Sequence, residues 1–373
     1  MRPVFVADVH VGNHKRWGGP VVSGLNSRAK EIVDALANAV KFANDKGEPL
    51  VVLGDLFDTA TPSPQMVWAV GEVLNKANKC YVLLGNHEYR SAATGDHALK
   101  PLGWLPDVVV IDEPTLIDDV LFIPYQSGPA CEWLPEVLAS FDERELRDRV
   151  KPAVCLHLGI ADDETPPWLK GSHDSITIDQ LTSLSKRYGF REVYAGNWHK
   201  HQTWDCYLVG LSENLRVVQV GALVPTGFDN AGLTGYGSLV TRNADRVDRV
   251  EVDSVRYIMS DDIDEISRAF ANEKYTYDLS DGESYNIIRA KYKTTKNVSS
   301  DILTEFQTKY GPVFGGMVIE HSSEAVKTAA ADAARKVESL NYDKVLADYS
   351  AKMVGDKVML DKLLPVLKRY LRE

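Results

Sequence analysis

Seven polar residues of the chain are of types that bind divalent metal ions, and all of them fall within a few residues of a short apolar run. They are Asp8, His10, Asp55, Asn86, His157, Asn197 and His199. Their donors are carboxylate, imidazole and amide oxygen, which suit Mn(II), Fe(II) or Zn(II) and do not suit a structural cysteine-type zinc site. Two divalent ions about 3.5–4 Å apart can lower the pKa of a shared water and stabilise in-line displacement at a phosphate. The set predicts a two-metal hydrolase.

The apolar runs before these residues are predicted to be strands of an open α/β sheet. They are Val4–Ala7, Leu50–Leu53, Tyr81–Leu84, Ala153–Leu156 and Val193–Ala195. Ligands of such sheets bind beyond the carboxyl ends of the strands, so the polar side chains are expected to converge on one rim. Asp8 and His10 are two apart in an extended segment and leave the same face, which suits two ligands of one metal. Asp55 follows a glycine at a tight turn and can bridge a metal pair.

Helices between these strands would complete βαβ units. The spacing of apolar residues predicts a first helix that Ser27 caps and Gly47 ends, and Ser63-Pro64 opens a second. Further strands, which are expected to close a second sheet, are predicted at Val217–Val220, Ser238–Val240 and Val247–Val252.

The length of the chain and a change in its pattern of strands and helices after residue 255 predict several domains. The 373 residues exceed the size of one ordinary core. We expect residues 1–255 to form the α/β domain that carries the site and residues 256–322 to form a small α+β domain. Residues 323–340 are predicted to be an Ala-rich tether, and residues 341–373 a pair of amphipathic helices.

Composition excludes some function classes. No apolar run has the length of a membrane span, and the N-terminus has no signal-peptide pattern, so a cytoplasmic protein is expected. The four cysteines are scattered and are not expected to form disulfides. The net charge of −11 argues against a protein that coats DNA without sequence preference, because such binding neutralises many phosphates. An enzyme whose metals supply local positive charge escapes that objection.

Taken in order, the motifs resemble those of the calcineurin-like metallophosphoesterases. The matching blocks are Asp8-x-His10, Gly54-Asp55, Gly85-Asn86-His87, His157 and the motif that begins at Gly196. Within that family, Gly54-Asp55-Leu56-Phe57-Asp58 followed by Pro62-Ser63-Pro64 resembles the DNA-repair nucleases, which include the nuclease subunit of bacterial SbcCD. The stretches 14–20 and 221–229 are most similar to the bacteriophage members, which implies the cytoplasm of a bacterium or of a phage-infected host. The resemblance implies an α/β fold, a two-sheet α/β sandwich with a small α+β capping or DNA-binding domain at 256–322 and a C-terminal helical pair.

The resemblance also implies a role for each residue of the site. One metal would be held by Asp8, His10 and His199, and the other by Asn86, His157 and Asn197. Asp55 would bridge the two metals, with Mn(II) the expected ion. His87 would lie outside the metal shell, beside the phosphate, as the catalytic residue that protonates or orients the leaving oxygen.

The sequence departs from the family pattern at one block. The usual Gly-His-x-His is Gly196-Asn197-Trp198-His199 here, so either Asn197 replaces a histidine ligand or the pair is His199 with His201. We favour Asn197, which should weaken the second metal site. A separate prediction concerns His14, which lies in a loop expected to overhang the metals and is a candidate contact for the substrate phosphate. The remaining isolated histidines, read as ordinary surface or loop residues, are His97, His173 and His321.

Three functions follow from this reading. The first is a Mn(II)-dependent DNA nuclease with 3′–5′ exonuclease and single-strand endonuclease activity, the catalytic subunit of an SbcCD-like complex. Residues 341–372 would then bind an SbcC-like coiled-coil ATPase, and a homodimer is a further expectation. The second is a phosphomonoesterase or protein phosphatase of the same fold, because Gly-Asn-His-Glu at 85–88 also occurs in protein phosphatases. The third is a scaffold subunit with a decayed metal site, which only Asn197 suggests.

Overall fold

The structure is a computed structural model that describes residues 2–14, 21–22, 24–91, 95–141, 152–165, 170, 173–208, 214–225, 237–242, 247–252, 256–270, 276–278, 284–286, 288–294 and 316–321. The chain divides into two units, one of residues 1–292 with 300–318 and one of residues 293–299 with 319–373. The second unit lies almost entirely outside the described residues. It includes the predicted tether at 323–340 and the predicted helical pair at 341–373, so those two predictions stay predictions.

Two six-stranded sheets form the main body of the first unit. The strands of the first sheet are β1 (Val4–Val6), β4 (Leu50–Val52), β5 (Cys80–Leu83), β8 (Val108–Ile111), β17 (Gly237–Arg242) and β18 (Val247–Val252). Those of the second sheet are β9 (Thr115–Ile117), β10 (Val120–Ile123), β11 (Ala153–His157), β14 (Glu192–Gly196), β15 (Gln202–Tyr207) and β16 (Asn214–Gln219). Their orders are β18-β17-β1-β4-β5-β8 and β15-β16-β14-β11-β10-β9. The five strands predicted to precede the polar residues are all present.

One sheet assignment from the sequence was wrong. The two strands after residue 236, expected to close the second sheet, belong to the first, where β17 pairs antiparallel with β1. The alternation of valines in these strands indicates extended structure, but it carries no information about which of two apolar sheets they extend. The predicted strand at Val217–Val220 is β16 and does lie in the second sheet.

The described residues include five α-helices, and several of their ends follow local sequence signals. They are α1 (Ser27–Lys46), α2 (Pro64–Leu74), α3 (Ala130–Ser140), α4 (Ile178–Tyr188) and α5 (Ile263–Phe270), with a short 3₁₀ helix at Lys100–Trp104. Asn26, not Ser27, caps α1, because its side chain accepts a hydrogen bond from the Ala29 amide. Gly47 ends that helix in the left-handed conformation, and Ser63 caps α2, both as predicted.

Smaller strand pairs complete the described fold. The two-stranded sheets are β2 (Val21–Val22) with β3 (Leu25–Asn26), β6 (Tyr89–Ser91) with β7 (Asp96–His97), β12 (Gly159–Ala161) with β13 (Ser175–Thr177), and β20 (Thr276–Asp278) with β21 (Ser284–Asn286). A three-stranded sheet has the order β19 (Arg256–Ser260), β22 (Ile288–Thr294) and β23 (Gly316–His321). Among the described residues no helix is long and apolar enough to cross a membrane. The four cysteines are all free.

The two large sheets pack face to face with helices outside them. Alternate residues of the first sheet, such as Phe5 and Tyr81, point to the second sheet, where Phe5 stacks on Tyr194 and Tyr81 on Phe122. The opposite face of the first sheet packs against α1 and α2, and that of the second against α3 and α4. This is the four-layer α/β sandwich expected from the sequence, and its strand ends define the rim described next.

Candidate metal centre

The polar residues gather where strands of both sheets end. The turns after β1, β4 and β5 bring Asp8 with His10, Asp55 and Asn86 from the first sheet. From the second sheet, His157 is the last residue of β11, and the turn after β14 brings Asn197 and His199. Main-chain hydrogen bonds hold the first two turns together, because the amide of Asp8 donates to the Gly54 carbonyl and the amide of His10 to the Asp55 carbonyl. The site therefore lies across the sandwich, with ligands from each sheet.

Four of the proposed ligands have left-handed backbone. Their φ angles are +50° at Asp8, +52° at His10, +52° at Asp55 and +84° at Asn197. Residues other than glycine rarely adopt this region, and asparagine, aspartate and histidine tolerate it best. Such conformations cost about 1–3 kcal/mol each and persist where surrounding structure fixes them, commonly at functional sites. Their concentration on one rim indicates that the turns are shaped to aim these side chains.

The first group of donors contains Asp8, His10 and His199. One ligand atom from each lies within 4.8 Å of the others, and the Nε2 atoms of His10 and His199 are 3.1 Å apart. Oδ1 of Asp8 accepts from the Asn197 amide at 2.9 Å, whereas the buried Oδ2 has no hydrogen-bond partner among the described residues. A buried carboxylate oxygen without a partner is costly, so a cation at this position would satisfy it.

The second group contains Asp8, Asp55 and His157, with Asn86 beside them. Nε2 of His157 lies 2.8 Å from Oδ1 of Asn86 and 3.4 Å from Oδ2 of Asp55. Nδ1–H of the same imidazole donates to the Leu53 carbonyl at 2.6 Å, which leaves Nε2 as the atom directed at the site. The ring fits only because residue 54 is glycine: a Cβ at Gly54 would lie 2.2 Å from Nδ1 of His157.

Charges around this second group favour a cation. Burial alone would raise the pKa of Asp55, but His157, His10 and His87 outweigh it and lower that pKa. Burial alone would lower the pKa of His157, yet Asp55 and Asp8 raise it to about 10. An imidazole that holds its proton in a buried pocket reports excess negative charge, which a divalent cation can neutralise in place of the proton. The carboxylate, imidazole and amide donors of both groups thus fit a pair of divalent metals.

Asn197 lies in the centre and His201 lies apart. The Asn197 amide binds Asp8, and its side-chain Nδ2 donates to the Asp174 carbonyl at 3.1 Å. His201 donates from Nδ1 to the Val220 carbonyl at 3.1 Å and is in none of the three groups that could hold a metal among the described residues. These positions support the choice of Asn197 with His199, which stays a prediction.

His87 lies at the open edge of the centre. Its side chain is 39% exposed, whereas that of Asp55 is 2% exposed. Nδ1–H donates to the Asp58 carbonyl at 3.2 Å, so Nε2 points towards the centre and is 3.9 Å from Oδ2 of Asp55. Because one group that could hold a metal is His10, Asp55 and His87, the geometry leaves both a catalytic and a ligating His87 open.

His14 is tied to the protein rather than extended over the metals. Its Nε2–H donates to the His10 carbonyl at 2.9 Å, and its Nδ1 is 3.7 Å from Oδ2 of Asp58. The stretch after it, residues 15–20, lies outside the described residues. The proposed phosphate contact of His14 stays a prediction.

Two carboxylates of the site were missed from the sequence. Oδ1 of Asp58 lies 3.2 Å from Nδ1 of His10, and burial, which would raise the pKa of Asp58, is outweighed by His10, His14 and His87. A carboxylate behind a ligating imidazole orients it and strengthens it as a donor. The available signal was the position of Asp58, three residues after Asp55.

The second missed residue is Glu88, which is fully buried. It accepts three main-chain hydrogen bonds, from Phe57 at 2.7 Å, Gly85 at 3.0 Å and Asp55 at 3.2 Å. Glu88 therefore ties the turn that carries Asp55 to the turn that carries Asn86. Burial and the nearby Asp55 raise the pKa of Glu88 to about 8. The signal for it was a charged residue directly after the Gly-Asn-His turn.

Among the isolated histidines, one prediction was wrong. His97 is buried, with Nε2 3.2 Å from Oδ2 of Asp112, and is a paired core histidine rather than a surface one. His173 is exposed, as expected. The side chain of His321 lies outside the described residues.

A protein family and several solved structures are similar to parts of this chain. Residues 1–151 match the model of a protein family described as calcineurin-like phosphoesterase. A search of curated proteins found no match. A structure of a dimetal phosphatase from Danio rerio is 14% identical over 68% of this chain and 96% of its own, with a TM-score of 0.39. A purple acid phosphatase from yellow lupin (Lupinus luteus) seeds is 14% identical over 65% of this chain and 48% of its own, with a TM-score of 0.40. Neither likeness is close enough to transfer an activity.

Proposed function

From the calcineurin-like metallophosphoesterase family that residues 1–151 match, we propose that the chain is a Mn(II)-dependent DNA nuclease of the SbcCD type, with 3′–5′ exonuclease and single-strand endonuclease activity. The carrying observation is that two groups of donors, one with His10 and His199 and the other with Asp55 and His157, share Asp8 at one rim, with the exposed imidazole of His87 beside them. Bound there, two divalent ions would activate water, clamp a phosphate oxygen and offset the charge of the transition state.

The residues of the chain divide the remaining work. The first metal would be held by Asp8, His10 and His199, and the second by Asn86, His157 and Asn197, with the carboxylate of Asp55 available to both. The exposed His87 faces the side from which a substrate approaches. Because its Nδ1–H is donated to the Asp58 carbonyl, Nε2 is the atom that can give a proton to the leaving oxygen. The carboxylates beneath it, those of Asp8, Asp55 and Glu88, are buried.

A phosphomonoesterase is the second candidate. The observation that favours it is Gly85-Asn86-His87-Glu88, a turn that also occurs in protein phosphatases. Against it, the segment after Asp58 continues as Thr59-Ala60, without the Asp-Arg-Gly of those phosphatases.

One assay separates the candidates. The purified chain with Mn(II) is given an end-labelled single-stranded oligonucleotide and, separately, p-nitrophenyl phosphate, with Asp55→Asn as the inactive control. Cleavage of the oligonucleotide supports the nuclease, and hydrolysis of the monoester alone supports the phosphatase. Neither reaction, together with weak or absent binding of Mn(II), supports the scaffold subunit with a decayed metal site.

The partner proposals concern residues outside the described part of the chain. Residues 341–372 carry two apolar stripes, which we propose dock an SbcC-like coiled-coil ATPase as helices in a groove. Deletion after about residue 335 should preserve activity on short single strands and remove ATP-stimulated cleavage of duplex ends. Unfolding of the truncated chain, or loss of its basal activity, would place these helices in its own core. A homodimer and a cytoplasmic location remain proposals of the same kind.

A further inference from the structure

Gln219 is a fully buried polar side chain whose hydrogen bonds all go to main-chain groups of other segments. At the end of β16, its Nε2 donates to the carbonyls of Ala195 at 3.1 Å and Gly196 at 2.7 Å. Its Oε1 accepts from the amide of Ile160 at 3.0 Å. The side chain has no exposed surface. A buried amide with donors and acceptor both used holds its partners at fixed separation.

The segments that Gln219 joins are those that carry the second-sheet ligands. Ile160 follows His157 by three residues, and Gly196 directly precedes Asn197. The hydrogen-bonded pairing between β11 and β14 ends at His157 and Gly196, so the segments that follow are not held together by this pairing. Gln219 therefore bridges them just beyond the last strand pairing.

Two other contacts join the same segments. The indole of Trp198 lies against Gly159, where a Cβ would approach it to 2.3 Å. The carbonyl of Asp174 accepts both from the Gly159 amide at 2.9 Å and from Asn197 Nδ2 at 3.1 Å. Among the described residues the segments are thus joined at three points, and two of these, Gln219 and Asp174, lie in parts of the chain that carry none of the proposed ligands.

We propose that Gln219 is a positioning residue for the metal centre: it fixes the turn that carries Asn197 and His199 relative to His157. The proposal rests on the metal site of the proposed function but not on its DNA substrate. Partners behind metal ligands commonly change metal affinity by about 10- to 100-fold when removed. The comparable bridge in the first sheet is made by Glu88.

The test is calorimetric titration of Mn(II) into the full chain and into Gln219→Met, which keeps the side-chain volume and removes every hydrogen bond. Mn(II) affinity should fall by about 10- to 100-fold. The matched control is Ser185→Ala, which removes another fully buried hydrogen bond, from Ser185 Oγ to the Phe190 carbonyl, between segments without ligands. This control should lower thermal stability and leave Mn(II) affinity unchanged.

A second variant keeps the test decisive if Gln219→Met does not fold. In Gln219→Glu, a protonated carboxyl can still donate to Gly196 and accept from Ile160, whereas a carboxylate faces two carbonyl oxygens. Its Mn(II) affinity relative to the unmodified chain should therefore be near normal at low pH and fall as pH rises. Affinity equal to that of the unmodified chain, in either variant and at every pH, would overturn the role of Gln219. An unmodified chain that binds no Mn(II) would overturn the metal site itself.

Discussion

Loading the centre with Mn(II) at pH 7 should release protons, and their number follows from the structure. The raised pKa of His157, about 10, means that its ring is protonated before metal binds. Since Nδ1–H is donated to Leu53, the extra proton is on Nε2, the atom that must bind the metal. Glu88, with its pKa raised to about 8, holds a second proton that neighbouring cations would expel. About one to two protons should leave from these groups, with a further contribution from His10, whose pKa is also raised.

Calorimetry in buffers of different ionisation enthalpy counts these protons. Release should fall towards one as the pH is raised to 9, where Glu88 has lost its proton and His157 has not. The same two groups affect the stability of the metal-free chain, because each has a higher pKa in the folded than in the unfolded chain. The stability that His157 contributes should be lost as the pH rises from 6.5 to about 10, and that of Glu88 as it rises from 4.5 to about 8. Binding heats that do not depend on the buffer at pH 7 would refute the reasoning.

Five substitutions at four positions test individual roles. His87→Ala should keep Mn(II) binding and lose activity by about 10²- to 10⁴-fold, the usual contribution of proton transfer, so loss of metal in calorimetry would make His87 a ligand. Asn197→His should tighten the second Mn(II), because imidazole is the better donor, measured by titration. If instead His201→Ala abolishes binding while Asn197→Ala does not, His199 pairs with His201. Gly54→Ala should abolish Mn(II) binding, since its Cβ would lie 2.2 Å from Nδ1 of His157; normal binding would show that the turn can shift.

The strand ends of the site could be predicted because local sequence determines them. A short apolar run followed by Asp, Asn or His indicates a strand and places the polar residue at the carboxyl end of that strand. The ligand turns after β4 and β5 were predicted on this basis, and the structure brings Asp55 and Asn86 together. Membership of a sheet could not be predicted in the same way, since β17 is joined to β1 across more than 200 residues of chain.

Residues that contact the proposed ligands, or the turns that carry them, without being ligands themselves were missed for a physical reason. Glu88 and Gln219 act through hydrogen bonds to main-chain groups, and a main-chain partner has no residue type that a sequence motif could record. Asp58 could have been noticed from its spacing to Asp55, but its contact with His10 depends on the meeting of two separate turns. His97 was misread because its partner, Asp112, is 15 residues further along the chain, directly after β8.

Because the proposed ligands come from both sheets, the metal centre can form only late in the synthesis of the chain. Asp8 and Asp55 emerge early, but His199 follows Asp8 by about 190 residues, roughly 10 to 40 s later at ordinary rates of translation. Neither metal position is complete until both sheets have formed and packed, because contacts so distant in sequence form late in folding. An unfinished chain on the ribosome would therefore lack the proposed metal centre, which can assemble only once both sheets are complete.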